Sequence, residues 1–370
     1  MAVTKEQILA ALGQVAAPDG RPITQAGTLS DVVVSDGKVF FSISVDAGAV
    51  PRWEPVRKAA EAAVRAVAGV TSAMVALTAE RAPGAAPAGS ARPHGPAARG
   101  PSSAQAPEGV KAIIAVASGK GGVGKSTTAV NLALGLRDLG LKVGMLDADI
   151  YGPSVPKLLA IRGRPQTIGG TRLVPMDGYG LKVMSIGFLV EEETPMIWRG
   201  PMVMSALTQM LREVDWGTLD VMVVDMPPGT GDAQLTMAQQ VPLAGAVIVS
   251  TPQDLALIDA RRGIAMFRRV NVPVLGIVEN MSYFLCPQCG SRSDIFGHGG
   301  ARHEADRLGV PFLGEVPLDI AIRETSDAGR PVVATNPDGP HAATFRAIAA
   351  KVRDQLAGAG RPAPRIVVEA

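Results

Sequence analysis

The stretch "SGKGGVGKST", Ser118 to Thr127, decides how the rest of this chain is read. From Gly119 to Ser126 it fits the pattern G-x-x-x-x-G-K-S. The apolar run "KAIIAVA" precedes it, and "STTAVNLALGLRDLG" follows with the spacing of a helix. A glycine loop between an apolar strand and a helix is the context that makes this pattern a phosphate-binding loop rather than a chance glycine-rich turn. Glycines let backbone N–H groups approach phosphate oxygens, and a helix N-terminus adds partial positive charge. Gly119, Lys120, Gly121, Gly122, Val123, Gly124, Lys125, Ser126 and Thr127 are therefore expected to cradle a nucleotide. Lys125 is expected to reach its β- and γ-phosphates, and Ser126 to bind Mg²⁺. Lys120 is redundant for holding phosphate inside its own loop.

Further along the chain, strand-like and helix-like segments alternate. "KVGMLDAD", "LDVMVVDMPPG", "GAVIVSTPQ" and "VPVLGIVENM" are short apolar runs that end in polar or turn residues. Near-continuous apolar strands between helices predict an α/β fold, with a mostly parallel sheet covered by helices on both faces. This domain is expected over residues 110–357, followed by a tail over 358–370.

A small α+β domain is expected to precede it, over residues 1–80. "TKEQILAALGQV" has helical spacing with Thr4 placed as an N-cap. "LSDVVVSDGKVFFSISVD" reads as two strands around Ser35-Asp36-Gly37, a hairpin signal. "PVRKAAEAAVRAVAGV" is predicted as a second helix beginning at Pro55 and ending near Gly69, with "SAMVALTA" as a last strand. Residues 81–109, rich in Ala, Pro, Gly and Ser, cannot bury enough apolar surface to offset their ordering entropy and are expected to be a linker. His94 within it is expected to be solvated.

The chain of 370 residues carries a net charge of +2, which gives no hint of nucleic acid as the main partner. No apolar run approaches the ~20 residues needed to span a bilayer. The start has no basic segment followed by an apolar one, so a cytoplasmic protein without a membrane partner is expected. The two cysteines, Cys286 and Cys289, form no disulfide framework.

Several polar groups fall at strand ends, where ligands bind in open α/β sheets. Asp147 and Asp149 lie in "LDADIYGPS", where a carboxylate can orient water or hold the metal's outer shell. Asp225 follows four apolar residues, the pattern of a Walker B strand, and is expected near Mg²⁺ through water. Asn280 ends another strand, where its amide could bond adenine. "CPQC" at 286–289 is compatible with zinc, redox or iron–sulfur chemistry. His298 and His303 could complete a zinc set within one chain. A cuboidal iron–sulfur cluster needs four thiolates, which two copies of this chain would supply across a two-fold axis.

The form K-G-G-V-G-K-S resembles the deviant phosphate loop of the SIMIBI-class ATPases, the class of MinD and ParA. That resemblance implies that Lys120 crosses a dimer interface to the partner's nucleotide, like an arginine finger, and that Lys120, Lys125 and Asp149 form the catalytic set. It places Asp149 beside the attacking water and Asp147 nearer the metal. A MinD-like membrane organiser would need an amphipathic C-terminal anchor, which the tail lacks. A ParA-like protein would need a basic face.

With "DADIYGPS", "WRGPM", "DMPPGTGD", "VENMSYF" and "CPQCG" in order, residues 110–355 resemble the Mrp/ApbC family of iron–sulfur cluster carrier ATPases. The first 80 residues are similar to a small iron–sulfur assembly domain, here without a cysteine. The resemblance implies a homodimer that binds ATP and Mg²⁺, hydrolyses ATP slowly, holds a labile 4Fe–4S cluster at Cys286 and Cys289, and exchanges it with cluster donors and apo-proteins. Trp198, Arg199 and Met202 in "WRGPM" are candidate interface residues, with a place in the core an equal reading for Trp198. The alternative is a MinD/ParA-like switch whose Cys286, Cys289, His298 and His303 form a structural zinc site.

Overall fold

A computed structural model describes residues 3–26, 28–30, 32–35, 37–46, 49–80, 106–169, 172–189 and 200–359. Most of the expected linker, with His94, lies outside them, as do Asp36, Trp198, Arg199 and the tail from 360 onward. Two compact units are present.

The N-terminal unit opens with α1 (Lys5–Leu12). Thr4 caps it as expected: its hydroxyl accepts from the Gln7 N–H at 3.4 Å, and Gln7 Oε1 accepts from the Thr4 N–H at 3.0 Å. β1 (Val33–Ser35) and β2 (Lys38–Asp46) form the expected antiparallel hairpin. The chain then crosses through α2 (Val50–Arg65) to β3 (Ser72–Glu80), which pairs parallel with β2. Along β2, Val39, Phe41, Ile43 and Val45 alternate into the core, where they join Ile8, Leu12, Val56, Ala60 and Val64. The second helix starts five residues before the expected Pro55. Pro51 occupies its first turn, where a missing N–H costs nothing, and Pro55 is accommodated inside the helix. Val50 and Trp53 pack against the core, so apolar burial extends the helix past the proline that sequence spacing takes as its start.

The larger unit is an eight-stranded sheet in the order β15-β12-β11-β4-β10-β5-β9-β8. Its strands are β4 (Val110–Ala117), β5 (Val143–Asp147), β8 (Met176–Gly178), β9 (Leu181–Ser185), β10 (Leu219–Asp225), β11 (Gly245–Ser250), β12 (Val274–Glu279) and β15 (Phe312–Glu315). Every pairing is parallel except β8 with β9 at one edge. Two short hairpins lie outside it, β6 (Thr167–Ile168) with β7 (Arg172–Leu173), and β13 (Phe284–Leu285) with β14 (Arg292–Ser293). The helices are α3 (Lys125–Asp138), α4 (Val155–Leu158), α5 (Gly200–Arg212, of which residues 207–212 belong to this unit and 200–206 to the first), α6 (Asp232–Gln240), α7 (Asp254–Arg269), α8 (Gly300–Leu308), α9 (Ile320–Asp327), α10 (Val332–Thr335) and α11 (Pro340–Ala359).

β4 is fully apolar from Ile113 to Ala117 and lies between β11 and β10. α3 packs on β5 and β10, and α11 packs on α3. After β4 the chain crosses to one side of the sheet, and β11 lies on the other. The carboxyl end of β4 is therefore a topological switch point, the place where ligands bind in such sheets.

Candidate nucleotide site and cysteine hairpin

The phosphate loop spans the turn from β4 to α3. Gly124 is left-handed at φ 78°, and a Cβ there would lie 2.1 Å from Asn280 Nδ2. A Cβ at Gly119 would lie 2.2 Å from the Asp259 carbonyl carbon. Glycine is therefore required twice, once for conformation and once for the approach of α7. Asn280 is buried and donates its Nδ2 to the Val123 carbonyl at 2.8 Å. It braces the loop, and a contact to adenine would have to use its Oδ1 or its second amide hydrogen.

Parallel register brings the acids together. Asp225 of β10 is directly opposite Asp147 of β5, and Asp147 is opposite Ser185 of β9. Lys125 Nζ lies 2.5 Å from Asp225 Oδ1, 3.2 Å from Ser126 Oγ and 3.9 Å from Asp149 Oδ2. Asp147 accepts from the Asp149 N–H at 3.2 Å, the Val155 N–H at 3.2 Å and the Ser185 hydroxyl at 2.9 Å. Burial and the neighbouring Asp225 outweigh these donors and push the Asp147 carboxyl up to about 7. Burial also raises Asp225, against the opposing pull of Lys125, and raises Asp149.

The segment after Asp225 closes the site. The Gly229 N–H donates to the Ser118 carbonyl at 3.0 Å, and Gln234 Nε2 donates to the Pro227 carbonyl. Asp225 Oδ2 is buried with no hydrogen-bond partner. An orphaned carboxylate oxygen beside Lys125, Ser126 and a glycine cradle fits a hydrated divalent cation and a polyphosphate. Ser126 and Asp225 could hold such a cation. Asp147, with both oxygens engaged, tethers the start of its loop. Asp149 is the most accessible of the three acids. Among the described residues the Lys120 side chain makes no ion pair, and it is half-buried.

Cys286 and Cys289 occupy the turn of the β13–β14 hairpin. The Cys286 N–H donates to the Ser291 carbonyl at 2.9 Å, and the Gly290 N–H to the Cys286 carbonyl at 2.8 Å. Both thiols are free, and Cys289 is exposed. Hydrogen bonds from Ser291 and then Cys286 hold the Cys289 thiol below its ordinary value. The intrachain zinc set does not assemble. Among the described residues no three His, Cys, Asp or Glu side chains converge on a metal-sized site. His298 Nδ1 instead meets Arg292 at 2.8 Å, and His303 lies on α8.

Sequence reasoning missed Ser185, Gln234 and Glu279. Gln234 and Ser185 carry no local signal. Glu279 does: a charged residue ending an apolar strand. It is fully buried beside Asn280.

The fold and site define a phosphate-loop NTPase of the MinD/ParA type. Residues 109–353 match the NUBPL iron-transfer P-loop NTPase family, to which this chain belongs, and residues 5–75 match an iron-sulfur cluster assembly protein family. The chain is 56% identical over 251 residues to the iron-sulfur cluster transfer protein NUBPL of Dictyostelium discoideum, covering 67% of this chain and 78% of that one. It is 42% identical over 360 residues to the iron-sulfur cluster carrier protein of Synechocystis sp., covering 96% of this chain and 98% of that one. The nucleotide-binding protein of Archaeoglobus fulgidus, solved in complex with ADP, superposes with a TM-score of 0.56 at 41% identity, covering 63% of this chain and 91% of that one. No helix among the described residues is long and apolar enough to cross a membrane.

Proposed function

We propose that this protein is an iron–sulfur cluster carrier that binds and slowly hydrolyses ATP, and that two copies jointly hold a 4Fe–4S cluster for delivery to apo-proteins. The observation that carries this reading is the hairpin. Two free thiols stand together at its turn, and no further intrachain ligand is near them among the described residues. Two such hairpins would complete the four thiolates of a cuboidal cluster. The family and the names of its relatives support the same cargo.

In this reading the phosphates of ATP replace Asp225 as the partner of Lys125. Mg²⁺, when bound, would neutralise phosphate charge. Ser126 and Asp225 hold its site, and Asp149 orients the attacking water. Lys120 of each copy reaches the other copy's nucleotide and stabilises charge on the transferring phosphoryl group. Residues 1–80 serve as an assembly-type module. Cluster donors and recipient apo-proteins are the macromolecular partners.

Anaerobic reconstitution tests the cargo. Brown protein that saturates at about four irons and four sulfides per two chains is the expected result, and Cys286→Ser and Cys289→Ser should remain folded and colourless. Zinc at one per chain without colour would overturn the reading.

A further inference from the structure

Glu279 is the last residue of β12 and is fully buried. Its two carboxyl oxygens serve different partners. Oε1 accepts from the Ser282 hydroxyl at 2.6 Å, and Oε2 accepts from the Ala301 N–H at 2.6 Å. Ser282 stands just before the cysteine hairpin, and Ala301 lies in the first turn of α8 just after it. One side chain therefore holds both ends of the segment that carries Cys286 and Cys289.

The chemistry suits that task. The N-cap of α8 is Gly299, which has no side chain to cap the helix. The first N–H groups of a helix need acceptors, and a carboxylate there is favoured by the helix dipole. Glu279 supplies that acceptor from 22 residues away. A buried carboxylate in turn requires donors, so it is stable here only while both ends of the segment are in place. The next residue, Asn280, holds the Val123 carbonyl of the phosphate loop, and Gly124 lies against its amide. The strand end thus carries the loop brace and the hairpin clamp on adjacent residues.

We propose that Glu279 is a positioning residue that clamps both ends of the cysteine segment 282–301 and, through Asn280, makes the order of that segment depend on nucleotide in the phosphate loop. This deepens the carrier reading, and its structural half stands whether or not the cargo is a cluster.

The test is hydrogen–deuterium exchange on the full-length protein, without cluster, with and without saturating Mg²⁺–ADP. In the parent protein nucleotide should slow exchange across 282–301. Glu279→Gln keeps the size but places an NH₂ group against a donor. It should speed exchange in that segment by about tenfold or more, the effect of losing one charge-assisted buried hydrogen bond, while leaving β4 and β10 protected. The nucleotide response of the segment should vanish although ADP still binds. Ser282→Ala should reproduce part of the loosening, and Ser282→Thr, which keeps the hydroxyl, should restore protection. Exchange raised equally over the whole unit, or a segment in Glu279→Gln that is as protected and as nucleotide-sensitive as in the parent, would overturn the proposal. A parent protein that shows the exchange pattern but assembles no cluster would refute the cargo reading alone.

Discussion

At the scale of single residues, the site is a set of charges held out of water by one another. Asp147 is the clearest case. Its carboxyl is pushed from 3.8 up to about 7, so the folded state keeps a proton that the unfolded chain has lost. Between roughly pH 4 and roughly pH 7 the native state therefore binds more protons, and stability falls as pH rises through that window. Asp149 and Asp225, both raised, add the same sign. The thermal midpoint of the nucleotide-free protein should drop across the window, and Asp147→Asn should flatten the slope. A midpoint that climbs instead would refute this ordering of charges. Lys120 belongs to the same scale. If its ammonium acts in trans, Lys120→Ala should lower single-turnover hydrolysis by about 10³-fold or more and leave nucleotide affinity nearly unchanged. An equal loss in affinity would make it an ordinary loop lysine.

At the scale of elements, the glycine loop is shaped as much by what packs on it as by its own residues. Gly124→Ala would force a side chain into the left-handed region, at about 1–2 kcal/mol, and drive its Cβ onto Asn280. Nucleotide affinity should weaken by about tenfold or more, measured by titration with a fluorescent nucleotide. In the N-terminal unit, Phe41 on β2 is among the largest fully buried side chains. Phe41→Ala should cost that unit about 3–5 kcal/mol in chemical denaturation, through lost burial and a residual cavity. Much at this scale was legible beforehand. The capping box at Thr4, the hairpin at Gly37 and the five apolar strands of the sheet are local patterns, and they fold as their spacing predicts. β8, β9 and β15 were not legible. They are short and half-polar, and they become strands only because an existing edge offers them hydrogen bonds.

At the scale of the whole molecule, the proposed activity belongs to two copies. Specific ATPase activity should therefore rise with protein concentration until dimerisation saturates, and Lys120→Ala should show no such rise. Activity independent of concentration in the parent protein would place the whole catalytic set in one chain and remove the trans role from Lys120.

The phosphate loop, its flanking strand and helix, and the paired cysteines were determined by sequence alone. Periodicity, turn chemistry and ligand spacing depend only on residues close together in the chain. Other features were decided by tertiary structure. Asp147 meets Asp225 and Ser185 because three strands pair in one register. Asn280 reaches Val123 across 157 residues. His298 turns to Arg292 instead of completing a metal set. Glu279 needs two donors that only folding brings to it. A buried polar group takes whichever partner the packed chain places beside it, because leaving it unpaired costs more than any local preference returns.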